Sequence, residues 1–139
     1  MREAAEGIVG DWTALGVRGA FLARDIDTGE QLGFAIEEPV PLASVVKVPL
    51  ALVVLDLIAH GGLDAARPVT VDPATSSVGP TGIAAFRHPA TVAVGDLLLL
   101  MLSVSDNAAA DALFDLVPVA DVDARLRAWD CAGIHVRHR

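Results

Sequence analysis

Two residues in the stretch Pro41-Leu-Ala-Ser-Val-Val-Lys-Val-Pro49 have the types and spacing for covalent chemistry: Ser44 and, three positions on, Lys47. Positions i and i+3 of a helix share a face, so the Ser44 hydroxyl and the Lys47 amine can meet. A serine nucleophile needs a base, and an amine serves once burial or a neighbouring positive charge brings its pKa toward neutrality. Val45, Val46 and Val48 offer such burial. Lys47 is also the only lysine in the chain, every other basic charge being an arginine. An arginine stays protonated at any relevant pH and could not take this place. A plainer reading stays open beside the catalytic one: Ser44 caps a helix, and Lys47 runs its stem along apolar surface to put its charge in water.

A second stretch, Met101-Leu-Ser-Val-Ser-Asp-Asn-Ala108, ends one apolar helix and starts another. Either Asp106 or Asn107 makes a good N-cap, and a structural reading needs nothing more. The same stretch carries a hydroxyl, Ser105, and an amide, Asn107, to the edge of the core, where a substrate can reach them.

Taken together, Ser44-Val-Val-Lys47 and Ser105-Asp106-Asn107, 61 positions after the first serine, resemble the first two motifs of the penicillin-recognising serine hydrolases. The resemblance is to class A β-lactamases in particular. The Asp27-Thr-Gly29 hairpin and the apolar helix leading into Ser105 are similar too, so the likeness covers nearly the whole chain. It implies that Ser44 is acylated by a β-lactam and that Lys47 takes or relays its proton. Ser105 would pass a proton toward the β-lactam nitrogen, Asn107 would hold the substrate's side-chain amide, and Asp106 would brace the loop. The Ser44 backbone N–H would form half of an oxyanion hole. The implied partner is a β-lactam or a peptidoglycan-peptide-like small molecule, with no cofactor and no metal.

The same family uses an Ω-loop glutamate to activate the deacylating water and a Lys-Thr-Gly strand to bind the substrate carboxylate. No glutamate follows Glu38 and no lysine follows Lys47. The resemblance is therefore to the N-terminal part of such an enzyme, and little or no turnover is expected of these residues alone. Two alternatives stand beside it. One is a fragment of a DD-peptidase or another SxxK amidase; the other is a non-enzymatic truncated product, or a module that needs a complementing chain.

The elements that must position these groups read as α+β, a truncated β-lactamase/DD-peptidase-like fold forming one partial domain. Residues 1–40 give a helix from Arg2 to Leu15 and a β-hairpin, and residues 41–139 are mostly helical. The hairpin strands run from Val17 to Ile26 and from Gln31 to Ile36, joined by Asp27-Thr-Gly-Glu30. The first strand is apolar on both faces, as a strand inside a larger sheet would be. Further strands are scarce, with only short candidates at 68–71 and 134–136, so the antiparallel sheet looks incomplete. The open edge of the Val17 to Ile26 strand would favour self-association or a complementing chain. Helices are expected from Ser44 to His60, stopped by Gly61-Gly62, from about Val94 to Val104, from Asn107 to before Pro118, and over roughly Asp121 to Asp130. Leu97-Leu-Leu-Leu-Met-Leu102 makes the second of these apolar all round, which predicts burial on every side. Residues 64–90 read as loop.

A formal net charge of −8 argues against nucleic acid or anionic membrane as a partner. Cys131 is the only cysteine, which excludes an internal disulfide and a Cys-based metal site. The apolar runs are too short to span a bilayer and no export signal is visible, so the chain as written is expected to be cytoplasmic, although family members are usually exported. His60 reads as a helix-end residue and His88 as a loop residue, while His135 and His138 lie in the tail. None has metal-ligand spacing. Asp121, Asp123 and Asp130 read as the solvated face and cap of the last helix.

Overall fold

The computed structural model describes residues 2–131 and 133–136. The chain divides into two compact units, Met1–Pro41 and Leu42–Arg139. The first holds helix α1 (Arg2–Ala14) and a hairpin of β1 (Phe21–Arg24) with β2 (Gln31–Phe34), paired antiparallel from Phe21 opposite Phe34 to Arg24 opposite Gln31. The Asp25 carboxylate organises the turn by accepting from the N–H groups of Asp27 at 2.9 Å and Thr28 at 2.8 Å. Those bonds, that of Thr28 first, hold its pKa below the usual carboxylate value. Gly29 takes the left-handed conformation that closes the turn. Both strands are shorter than the sequence suggests. This sheet is two-stranded, and Leu22 and Ile26 are exposed rather than covered.

The second unit opens with a 3₁₀ turn (Ala43–Val46) that runs into α2 (Lys47–Ala59). One α-helix from Ser44 was expected, and Pro49 is the reason it does not form. Proline has no N–H to donate to the carbonyl of Val45, and its ring crowds that carbonyl, so the preceding turn winds more tightly. After α2 come β3 (Pro68–Val71), a second 3₁₀ turn (Gly82–Ala85), β4 (Ala90–Ala93), α3 (Val94–Ser103), α4 (Asn107–Leu116) and α5 (Val119–Ala128). Strand β4 lies between the stretch that reads as loop and the helix expected from about Val94, where no strand is expected. It pairs antiparallel with β3, Pro68 opposite Ala93 and Val71 opposite Ala90, and Thr70 and Thr91 join hydroxyls across the ladder at 2.9 Å. The candidate strand at 134–136 is not a strand. Val136 is buried instead, and its N–H donates to the Asp123 carboxylate at 3.0 Å, which gives Asp123 a docking role rather than a solvated one.

The core of this unit is aliphatic. Leu50 and Val54 of α2, Ile83, Leu97 and Met101 of α3, Leu113 of α4 and Leu126 of α5 all meet in it. Asp56 of α2 pairs with Arg125 of α5 at one edge, with the His60 ring 3.3 Å from the same carboxylate. Helix α3 is not buried on every side: Leu97 is fully covered, but Leu99 is 62% exposed and Leu102 49%. A uniformly apolar helix carries no signal of which face the neighbours will cover, and α2 and α4 cover only one. Among the described residues no helix is long and apolar enough to cross a membrane.

This asymmetry predicts a contrast measurable by urea denaturation. Leu97→Ala should cost about 2–5 kcal/mol, as buried leucine truncations do. Leu99→Ala, two positions on, should fall within about 0.5 kcal/mol of the parent.

Candidate functional site

The second unit brings every singled-out residue together. Ser44 sits exposed in the 3₁₀ turn, and Lys47 begins α2 with its side chain turned inward, 6% exposed. The Lys47 amine donates to the Ser105 carbonyl at 2.6 Å, the Asn107 Oδ1 at 2.7 Å and the Ser105 hydroxyl at 2.9 Å. Ser105 Oγ in turn donates to Ser44 Oγ at 3.0 Å. Lys47 therefore reaches Ser44 through Ser105 rather than directly. Two of the three atoms it meets, both amide oxygens, can only accept, and they draw the amine across to the α3–α4 junction.

That junction is held by Asp106. Its carboxylate is fully buried and caps α4 by accepting from the N–H groups of Ala108 at 3.0 Å and Ala109 at 3.3 Å. It also accepts from Ile83 N at 2.6 Å and Ala84 N at 3.2 Å, so one side chain ties the second 3₁₀ turn to the helix. Ser105, just before it, has φ of 57°, and Ala43, just before Ser44, has φ of 45°. Left-handed backbone costs a non-glycine residue about 1–2 kcal/mol. It persists where surrounding bonds over-determine it, often at functional sites.

The loop after β3 is part of the site. Asn107 Nδ2 donates to the Val78 carbonyl at 2.7 Å, Thr81 Oγ1 to the Val104 carbonyl at 2.7 Å, and Ser77 N to the Asp111 carboxylate at 2.6 Å. Gly82 has φ of 62°, and a Cβ there would lie 2.1 Å from Asp106 Oδ2. The Ser/Thr/Gly cluster at 75–82 with Pro80 was the available sign of this tight packing.

Burial lowers the Lys47 pKa below the ordinary 10.5, against the opposing pull of the Asp106 and Asp111 carboxylates. Folding thus disfavours the charged amine, and the unfolded chain binds its proton more tightly. Stability contributed at this position rises with pH from the lowered value toward 10.5. Among the described residues no group of His, Cys, Asp or Glu side chains is placed to hold a metal ion. His60 stands at the end of α2, bonded to the Asp56 carbonyl, and His138 lies outside the described residues.

Chemically, the arrangement is a hydroxyl–hydroxyl–amine path from an exposed serine to a buried lysine of lowered proton affinity. With an α+β helical unit around it, this Ser-x-x-Lys geometry points to the class A β-lactamase-like group of penicillin-recognising folds. Residues 8–139 match Beta-lactamase2, the Beta-lactamase enzyme family, and the chain belongs to that family. It is 48% identical over 124 residues to the Beta-lactamase regulatory protein BlaB of Streptomyces cacaoi, covering 88% of this chain and 40% of that protein. Its fold matches a β-lactamase from Sphaerobacter thermophilus with a TM-score of 0.83 at 22% identity, over 96% of this chain and 51% of the other. An ancestral class A β-lactamase matches with a TM-score of 0.75 at 24% identity, over 89% and 48%. The chain thus spans about half the length, or less, of the proteins it matches.

The Gly82–Asp106 contact yields a test. Gly82→Ala must displace a carboxylate that four backbone N–H groups hold, and must also adopt a left-handed φ. A loss of roughly 2–4 kcal/mol in urea denaturation is expected. Gly10→Ala in α1, where a Cβ meets nothing within 4 Å, should be neutral or slightly stabilising.

Proposed function

We propose that this chain carries the acylation chemistry of a serine β-lactamase-like hydrolase, with Ser44 as the nucleophile toward a strained cyclic amide. The observation that supports it most is the continuous path from Ser44 Oγ through Ser105 Oγ to Lys47 Nζ. A neutral Lys47 keeps two N–H groups, and the Ser105 carbonyl and Asn107 Oδ1 can only accept them. Its lone pair is then left to the one partner able to donate, the Ser105 hydroxyl, and the direction of the path reverses.

As the Ser44 oxygen bonds to the carbonyl carbon, its proton passes to Ser105 and the Ser105 proton to Lys47. When the carbon–nitrogen bond of the ring breaks, the same path returns a proton to the leaving nitrogen. Asn107, anchored to Lys47 and to the Val78 carbonyl, presents its amide to the substrate's side chain, and the Ser44 N–H steadies the developing oxyanion. Asp106 keeps Ser105 and Asn107 in place. The substrate class is a β-lactam or a peptidoglycan-peptide-like amide.

A second reading has its own support in the 48% identical relative that carries the name of a β-lactamase regulatory protein. On that reading the chain takes part in β-lactamase regulation, and hydrolysis is not its task. The two readings differ in the fate of the acyl group.

Incubation with benzylpenicillin followed by mass spectrometry of tryptic peptides tests both. One adduct per chain on Ser44 is expected, absent in Ser44→Ala and formed at least about a hundredfold more slowly in Lys47→Ala. Its rate should rise with pH and level off below 10.5, because burial lowers the Lys47 pKa and the neutral amine is the active form. A folded protein that leaves Ser44 unmodified across that range would sink the acylation proposal. A stoichiometric adduct that persists supports acylation and fits both readings, little turnover being expected of these residues alone. Steady nitrocefin hydrolysis at ordinary enzyme rates would favour the enzyme and overturn the expectation of little turnover.

A further inference from the structure

Asp111 has no part in the proton path. It lies on α4 four residues after Asn107, so the two side chains share one helix face. Asn107 uses that face to accept from Lys47 at 2.7 Å and to donate to the Val78 carbonyl at 2.7 Å. One turn further on, the Asp111 carboxylate accepts from Ser77 N at 2.6 Å. The same face therefore carries the amine's amide acceptor, a carboxylate beside it, and both anchors of the Ser77-Val78 edge.

We propose that Asp111 is a positioning residue whose negative charge, beside that of Asp106, favours the charged form of the Lys47 amine, while the same carboxylate pins the loop at Ser77. Its consequence for rate rests on the acylation reading; its effect on the amine does not.

The charged groups around α2 leave Asp111 as the adjustable one. Asp106 also draws on the amine, but its oxygens hold four backbone N–H groups, so replacing it would dismantle the junction. The first 3₁₀ turn has no charged residue. On α2 the others are Asp56 and His60 toward its far end, with Asp56 paired to Arg125 of α5. On α3 the acidic residue, Asp96, lies in the first turn, away from the end that leads to Ser105. Asp115 stands one further turn along α4. Asp111→Asn removes the charge and keeps an oxygen for the Ser77 N–H, so it separates the electrostatic role from the structural one. With that charge gone, the opposition to burial weakens, the amine loses its proton at lower pH, and more of it is neutral at pH 7.

Because Lys47 is the only lysine, protein labelled with [ε-¹³C]lysine gives one side-chain resonance, and its titration reads this amine directly. The midpoint of Asp111→Asn should fall below that of the parent, while Asp111→Glu, which keeps the charge, should stay closer to it. Asp111→Ala also removes the charge, should the asparagine variant not fold, but releases the Ser77 anchor with it. Benzylpenicillin acylation of Asp111→Asn at pH 7 should be about three- to tenfold faster, following the larger neutral fraction. An unmoved midpoint in a folded Asp111→Asn or Asp111→Ala overturns the inference, even if Ser44 acylates normally. A lowered midpoint with no acylation in any variant supports the role of Asp111 and removes the acylation reading instead.

Discussion

A buried amine has to be given acceptors, and Lys47 is the constraint around which the second unit is arranged. Taking an ammonium out of water is costly unless its donors are satisfied. Three oxygens meet that demand here, two on Ser105 and one on Asn107, all from the junction between α3 and α4. The amine therefore fastens α2 to that junction as well as supplying a proton site. Burial strong enough to lower its pKa, combined with acceptors good enough to tolerate the charge, leaves it able to exist in either state.

The junction can present those oxygens because Asp106 holds its backbone from both sides. Its carboxylate binds N–H groups of α4 and of the second 3₁₀ turn, and that turn passes close enough only because Gly82 lacks a Cβ. The left-handed conformation of Ser105 follows from the same geometry. One residue has to aim its carbonyl and its hydroxyl at one amine while the next enters a helix cap. The backbone strain at Ser105 is offset by the bonds on either side of it.

Much of this was legible in residue types. The lone lysine, its serine, and Ser105-Asp106-Asn107 marked the candidate groups, and caps, glycine and proline stops and apolar runs located the α-helices among the described residues to within a few positions. The rest depended on contacts that local patterns do not carry. Strand β4 is four residues with alanine at both ends, and only its pairing with β3 makes it a strand. Exposure of Leu99 depends on which neighbours α3 has, and a run of leucines is the same on all faces. Pro49 was readable, since a missing N–H forces the turn before it to tighten, yet the helical pattern around it hid the consequence. Asp111 looks like a solvated helix residue until α2 brings Lys47 to its face.

The same network bears on what happens after a first chemical step. A carboxylate that activates water must have an oxygen free to take the proton. Of the two carboxylates that draw on the amine, Asp106 has its oxygens taken up by four backbone N–H groups, whereas Asp111 commits one oxygen to Ser77. Lys47 itself, once the proposed path has returned its proton to the leaving nitrogen, is neutral again, with its lone pair toward the Ser105 hydroxyl. On the proposed reading, the unit is built to pass one proton back and forth among three groups. Activating a second nucleophile makes a separate demand, and on this reading it would have to draw on the same Ser105–Lys47 pair that served the first step.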